Sequence, residues 1–231
     1  RKRNSSSMNN LNHIAFIMDG NGRWGLKKKK NRNYGHLIGV KTVQKIVEAS
    51  ISLKVPIISF YVFSSENWKR PKSEITYLFN LIKIYFKKEI NNIIKNKIKI
   101  KISGRLNKLP QGIKETLTSA IKKTKNNNKL VINLAINYGS KKEIIDAVKK
   151  MKHSGKKISE KNLSDNLYLN LPFPDILIRT GGQQRLSNFM LWQLAYTEIF
   201  FLDKLWPDFS KKDLNKIINK YHTIKRNFGG V

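Results

Sequence analysis

An α/β fold with a mostly parallel central sheet is what this sequence predicts, and two observations carry that reading. Apolar, β-prone runs recur at Ile14 to Met18, Ile57 to Phe63, Ile98 to Ile102, Leu130 to Ile136 and Ile176 to Ile178. Helical patterns fill most of the intervals between them. That alternation lays successive strands parallel, with helices flanking the sheet. The chain has 231 residues, 40% of them hydrophobic, enough to bury one sizeable core. No internal repeat and no long linker divides it, so a single domain is expected over residues 12–231, preceded by a basic tail at 1–11.

Taken in order, the first run opens directly into a glycine-rich loop. Beyond that loop, Val40, Val43, Val47 and Ile51 share one face of a helix. After the second run, Ile75, Leu78, Phe79, Ile82, Phe86 and Ile90 repeat the spacing. Pro110 suits the first turn of a helix, and Asn126 to Lys129 reads as a surface turn. Ser140 with Glu143 three residues later forms a capping-box pattern.

Composition narrows the classes of ligand. Lys and Arg number 46 against 15 Asp and Glu, a formal net charge of +31, which favours anionic partners: nucleic acid, membrane headgroups or phosphorylated small molecules. Much of this charge lies in Lys/Asn/Ile-rich stretches such as Asn91 to Lys101 and Lys122 to Lys129 and reads as solvated surface. There is no cysteine, so neither disulfides nor thiolate metal sites are available. No apolar run approaches the ~20 residues a bilayer crossing needs. Arg1 to Asn10 is basic and Ser/Asn-rich without a hydrophobic segment, like a tail or the remnant of a leader.

Three segments carry chemistry. The first is Asp19-Gly20-Asn21-Gly22-Arg23-Trp24-Gly25, immediately after the first run. Its glycines match G-x-G-x-x-G and would let backbone N–H groups approach phosphate oxygens. A carboxylate at Asp19 facing a diphosphate calls for a bridging hard cation, for which Mg2+ is suited. The acid expected about 20 residues further on in a dinucleotide fold would fall inside a helix, around Gln44 to Glu48, which argues against a nicotinamide or flavin. Arg32 and His36 lie at the approach to the next helix, where they could clamp a diphosphate with its N–H groups. Lys27 to Lys30 reads as a solvated run. The second segment, Phe63 to Pro71, gathers Ser64, Ser65, Glu66, Asn67, Trp68 and Arg70 at the carboxyl end of a strand, where α/β sheets bind ligands. The third, Arg179 to Phe189, places Arg179, Arg185 and Ser187 around the flexible pair Gly181-Gly182; arginine forks match diphosphate oxygens. Glu198 interrupts the apolar run Ala195 to Leu202, as a paired core acid or as a metal ligand.

These stretches, in this order, resemble the cis-prenyltransferase family. The resemblance spans nearly the whole chain: HIAFIMDGNGRW at 13 to 24, RNYGH at 32 to 36, FSSENWKRP at 63 to 71, LAINYG at 134 to 139, ILIRTGGQQRLSNFMLWQLAYTEIFF at 176 to 201 and LWPDF at 205 to 209. It implies an enzyme that condenses isopentenyl diphosphate repeatedly onto an allylic diphosphate, farnesyl diphosphate as primer, with Mg2+, to give a medium-to-long polyprenyl diphosphate. Asp19 would bind the metal and help the allylic diphosphate ionise, while Gly20, Asn21, Gly22, Arg23, Trp24, Arg32 and His36 hold that diphosphate. Ser64, Ser65, Glu66, Trp68 and Arg70 would orient the reacting ends, with Asn67 assisting proton removal. Arg179, Arg185, Leu186 and Ser187 would bind isopentenyl diphosphate, and Glu198 would complete the metal site.

An apolar product tunnel is expected along the Ile75 to Ile90 face with strand residues such as Ile58, Phe60 and Val62. The resemblance further implies a homodimer, peripheral membrane contact for product release, and a place in the cytoplasm or on a membrane such as the endoplasmic reticulum, unless a missing leader directs the chain to an organelle. Two departures stand out: Gln183-Gln184 replaces the Glu-His of many bacterial relatives, and Asn227 occupies the place of the arginine in a C-terminal Arg-x-Gly element. A non-catalytic partner subunit is the alternative within the fold, but such chains lose the aspartate and glycine loop retained here. An RNA-binding protein is the alternative outside it; no RRM, KH or zinc-finger pattern accompanies the charge, and no nucleic-acid partner is expected.

Overall fold

The computed structural model describes residues 9–226. Its strands are β1 (His13–Ile17), β2 (Ile57–Ser64), β3 (Ile98–Ser103), β4 (Leu130–Tyr138), β5 (Ile176–Arg179) and β6 (Glu198–Phe201). Its helices are α1 (Asn21–Lys27), α2 (Arg32–Ser52), α3 (Lys72–Lys95), α4 (Gln111–Thr124), α5 (Ser140–His153), α6 (Glu160–Asn166) and α7 (Lys211–Thr223). The strands form one sheet in the order β3-β4-β2-β1-β5-β6, and every pairing is parallel. The expected fold class is thus the observed one, with one strand more. β6 sits at the sheet edge, short and half-exposed in alternation, so the apolar run around Glu198 carries no strand signal of its own.

Both faces of the inner strands are covered, which is why β1 reads as an unbroken apolar run. Ile14 and Phe16 of β1, Ile58 and Phe60 of β2 and Ile132 of β4 face a large core that also takes residues of α2, α3, α4 and α7. On the opposite face, Ala15 and Ile17 meet Phe189, Met190 and Leu194 from the connection between β5 and β6. Two boundary expectations change. Asn9 donates to the carbonyls of Tyr221 and Ile224 at 2.9 and 2.7 Å, and Leu11 packs on the core; the folded body therefore takes in residues 9–11, which were expected in the tail. The capping box at Ser140 does not form, because Gly139 is the cap residue, Ser140 Oγ accepts from Leu191 N–H at 2.9 Å, and Glu143 is buried among other partners. It accepts from Tyr138 Oη at 2.5 Å, Gln193 Nε2 at 3.0 Å and Tyr168 N–H at 3.0 Å.

A diagonal polar row crosses four strands inside the sheet. Ser103 Oγ donates to Asn133 Oδ1 at 3.0 Å, and Asn133 Nδ2 donates to Ser59 Oγ at 3.0 Å. Ser59 Oγ is 2.8 Å from His13 Nε2, and His13 Nδ1 is 2.6 Å from Pro172 O. With the proton on Nδ1, every member has a partner, as buried polar groups require.

The glycine signature has a packing cause. Gly20 adopts φ +105 between β1 and α1, a conformation that favours glycine. Gly25 and Gly35 instead bring α1 and α2 into backbone contact: a Cβ on Gly35 would stand 1.8 Å from Asn21 O, and one on Gly25 would stand 2.2 Å from Asn31 O. Gly35→Ala should therefore lower the unfolding free energy by about 2–3 kcal/mol in urea titrations. Gly112→Ala, on α4 with nothing within 4 Å of the added carbon, should raise it by ~0.5–1 kcal/mol.

His13 makes a second, pH-dependent prediction. Burial lowers its pKa from 6.5 to about 4, against weaker opposing effects of the Pro172 carbonyl and Asp175. The unfolded chain takes up the proton first, so the ring's contribution is complete at neutral pH and is lost as pH falls from 6.5 to about 4. The loss should be on the order of 3 kcal/mol. Urea unfolding at pH 7 and pH 4 should show a smaller pH dependence in His13→Gln than in the parent.

Candidate active site

The carboxyl ends of β1, β2, β4 and β5 open into a cleft of about 740 Å³. Because the chain leaves β4 and crosses to the far side of β1 to form β5, this is where the strand order reverses and where such sheets bind ligands. Asp19 lies two residues beyond the end of β1. The Thr180 hydroxyl accepts from its N–H at 3.1 Å and donates to its carbonyl at 2.8 Å. One carboxylate oxygen lies 3.0 Å from Arg23 and the other 3.0 Å from Arg179. Arg179 is buried and also donates to Ser187 Oγ at 2.7 Å and to the Arg185 carbonyl. Arg185 in turn reaches Gln183 Oε1 at 2.5 Å.

A second ionic centre stands beside the first. Glu74, in the first turn of α3, is buried and accepts from Arg32 Nε at 3.2 Å and from Arg70 Nη1 at 3.2 Å. His36 Nε2 lies 3.3 Å away, at ion-pair distance but out of line for a hydrogen bond. Burial pulls the Glu74 pKa up, but the neighbouring cations, Arg32 foremost, outweigh it and hold the carboxyl below its usual range. His36 is pushed below its ordinary value, chiefly by burial, with Arg70 and Arg32 adding to this and Glu74 opposing it.

The segment after β2 forms a 3-10 turn, Ser65–Lys69, capped at Ser64, whose N–H donates to Asn67 Oδ1 at 3.1 Å. Glu66 accepts from Ser65 Oγ at 3.1 Å and Asn188 Nδ2 at 2.8 Å; these bonds outweigh burial and leave its pKa lowered. Trp68 Nε1 donates to Asn137 Oδ1 at 2.8 Å. Tyr61 Oη donates to the Ser187 carbonyl at 3.1 Å, and its ring stacks on Phe189 with centroids 4.4 Å apart.

Of the residues singled out in the sequence, Asp19, Asn21, His36, Ser64, Glu66, Asn67, Arg70, Arg179, Arg185 and Ser187 line this cleft. Arg23 and Arg32 reach it through Asp19 and Glu74. Gly20 and Gly22 serve the passage into α1 and its packing, the latter lying under the Arg32 guanidinium. Trp24 turns away to stack on Tyr34 and to donate to Asp208 at 2.7 Å. Ser65 and Trp68 line a separate, smaller pocket with Arg105 and Lys142, and Leu186 packs on the second core.

Within one chain Glu198, expected with Asp19 at the metal, stands apart from it. Glu198 is in register with Ile176 at the start of β5, whereas Arg179, the partner of Asp19, is at its end. Three residues of strand amount to about 10 Å, and Glu198 instead meets Arg226 at 3.6 Å. Glu74, Thr180, Asn137 and Asn188 were not singled out; an acid in a helix's first turn and isolated asparagines carry no chemical signal of their own.

The cleft's apolar lining comes from Val40 and Val43 of α2, Leu78, Leu81, Ile82 and Phe86 of α3, and Val62, Leu134 and Ile136 of the sheet. Ile58 and Phe60, expected here, are fully buried in the core instead. Three buried polar atoms on lining residues, Asn21 Oδ1, His36 Nε2 and Arg179 Nε, have no hydrogen-bond partner.

Against known proteins, the family model for undecaprenyl diphosphate synthase matches residues 17–229. The chain belongs to the cis-prenyltransferase family. It is a prenyl transferase. An isoprenyl transferase from Fusobacterium nucleatum is 46% identical over 220 residues, 95% of this chain and 96% of that one. One from Rickettsia felis is 46% identical over 224 residues, 96% of this chain and 95% of that one. Among solved structures, lavandulyl diphosphate synthase from Lavandula x intermedia, in complex with dimethylallyl diphosphate, has a TM-score of 0.90 at 29% identity, covering 94% of this chain and 98% of that one. A probable undecaprenyl diphosphate synthase from Campylobacter jejuni has a TM-score of 0.84 at 37% identity, covering 96% of this chain and all of that one.

For a cis-prenyltransferase the donor set constrains the metal. No group of three or more His, Cys, Asp or Glu among the described residues could hold an ion. Asp19, a carboxylate set between two arginines in a cleft rich in cations, fits Mg2+ held mainly by phosphate oxygens, and does not fit a metal bound by protein alone.

The Glu74 centre yields a spectroscopic prediction. Glu74→Gln removes the carboxylate that opposes the lowering of the His36 pKa and leaves Arg70 and Arg32 facing the ring. The His36 C2 proton should titrate at still lower pH in the variant than in the parent; an unchanged or raised midpoint would contradict the assigned network.

Proposed function

We propose that this cis-prenyltransferase condenses isopentenyl diphosphate repeatedly onto an allylic diphosphate, with farnesyl diphosphate as primer and Mg2+ as cofactor. The product is a medium-to-long polyprenyl diphosphate, and pyrophosphate is released at each step. The observation that carries this reading is one cleft with two linings: guanidiniums, hydroxyls and amides at the strand ends, and aliphatic side chains between α2, α3 and the sheet.

In this reading the allylic C–O bond breaks as the isopentenyl double bond attacks the allylic carbon, and a proton then leaves the joined chain. Charge builds on the departing pyrophosphate, so donors fixed beforehand stabilise it most. Arg23, Arg32, His36 and Asn21 surround the allylic diphosphate; Arg179, Arg185 and Ser187 bind the isopentenyl diphosphate. Mg2+ at Asp19 supplies the neutralising charge for the leaving group. Asn67, fixed by the Ser64 N–H, assists proton removal, and Ser64, Glu66 and Arg70 orient the reacting ends. The growing chain lies along Leu78, Ile82 and Phe86, an apolar course for an apolar product. The lavandulyl diphosphate synthase complex, with its allylic diphosphate, supports the substrate class.

A homodimer is part of the reading, supported by the edge strand β6, where Ile199 and Phe201 are exposed beside Tyr196. No helix among the described residues is long and apolar enough to cross a membrane. Contact with a membrane is therefore taken as peripheral, serving product release.

Labelled isopentenyl diphosphate, farnesyl diphosphate and Mg2+ should give butanol-extractable product with the parent, abolished by chelation of Mg2+. Asp19→Ala should reduce incorporation by roughly a hundred- to a thousandfold. Equal incorporation by parent and variant would remove Asp19 from the mechanism, and no incorporation by folded parent would turn the reading toward a partner subunit.

A further inference from the structure

Asn188 joins the two polar walls of the cleft. It follows Ser187 with φ 62, a left-handed conformation that asparagine tolerates better than most residues. Its side-chain Oδ1 accepts from the Lys141 N–H at 2.9 Å, and its carbonyl accepts from the Ser140 N–H at 2.8 Å, so it is anchored on the first turn of α5. From that anchor, Nδ2 donates to Glu66 Oε1 at 2.8 Å. Gly139 leaves room for the arrangement: a Cβ there would stand 2.7 Å from Asn188 Nδ2 and 2.5 Å from Ser65 Oγ. Its neighbour Ser187 receives the Arg179 guanidinium at 2.7 Å. One carboxamide thus ties the carboxylate on the wall that follows β2 to the hydroxyl and guanidinium on the wall that follows β5.

We propose that Asn188 is a positioning residue for prenyl transfer, holding the Glu66 wall at a fixed separation from the Arg179–Ser187 wall. The kinetic part rests on the two-diphosphate reading above. Two substrates must meet with their reacting carbons aligned, and a misplacement of about 1 Å can cost a hundredfold in rate. A residue that fixes the separation acts on kcat more than on KM.

Asn188→Asp keeps the size and the acceptor for the Lys141 N–H but sets a second carboxylate against Glu66. Hydrogen–deuterium exchange of the substrate-free protein should show lost protection across residues 64–69. Turnover should fall roughly ten- to a hundredfold, with KM for isopentenyl diphosphate changed far less. The deficit should narrow as pH falls, because one proton shared between two carboxylates restores an O–H···O bond. Tyr61, the other titratable group facing Glu66, is pushed up by burial and by that carboxylate, and stays protonated throughout. Asn188→Gly keeps the left-handed backbone and removes both side-chain bonds. It should show the same exchange and turnover losses without recovery at low pH, and it decides the matter if Asn188→Asp fails to fold. Parent-like exchange, turnover within about twofold of the parent, or an Asn188→Asp deficit constant with pH would overturn the inference. Absence of prenyl transfer in the parent would defeat the substrate reading instead, and exchange would still decide whether Asn188 couples the walls.

Discussion

The Asp19 carboxylate stands 3.0 Å from Arg23 and 3.0 Å from Arg179, and the cost of gathering cations in a recessed cleft makes that contact the constraint on which the site depends. Arg179 is buried, and a buried guanidinium without a counter-charge would destabilise the fold by several kcal/mol. Asp19 supplies the counter-charge, and Glu74 does the same for Arg32 and Arg70. Each group of donors therefore has its own acid, and positive charge can be held ready without pushing the walls apart. In the proposed reading, an arriving diphosphate brings negative charge of its own, so the arginines can change partner rather than lose one.

That arrangement is possible because of where the sheet puts its ends. Asp19 follows the innermost strand, and β2 and β5 on either side deliver the other two polar segments to the same edge. The helices that line the apolar part of the cleft, α2 and α3, pack on one face of the sheet. The loops that carry Ser187 and Asn188 connect to the other face through Phe189 and Met190. The cleft is built where the two layers meet.

Much of this was legible in the sequence for a physical reason. Strands buried on both faces appear as unbroken apolar runs, and ligand-binding loops at their ends concentrate glycine, arginine and hydroxyls. Signals failed where tertiary partners overrode local chemistry. Ser140 and Glu143 have the spacing of a capping box, yet Leu191 claims the hydroxyl and Tyr138, Tyr168 and Gln193 claim the carboxylate. Glu198 could be read as a paired acid or as a ligand, because an acid in an apolar run asks for a partner; within the chain Arg226 stands 3.6 Å from it. Gly25 and Gly35 have a packing task that the glycine pattern does not announce: they seat one helix on another. Residues from Asn227 onward, including the C-terminal Arg-x-Gly-like element, lie outside the described residues.

The polar row through His13, Ser59, Asn133 and Ser103 has a consequence for assembly of the sheet. By apolar character alone β2 and β4 are close to interchangeable, each a long, mostly apolar inner strand. A sheet with the two exchanged would bury much the same hydrophobic area. It would also separate hydrogen-bonding groups that cannot reach water, at about 1–3 kcal/mol for each one left unmatched. Strand order is in this way verified by hydrogen bonding, and misassembled sheets are disfavoured even where their hydrophobic packing is adequate.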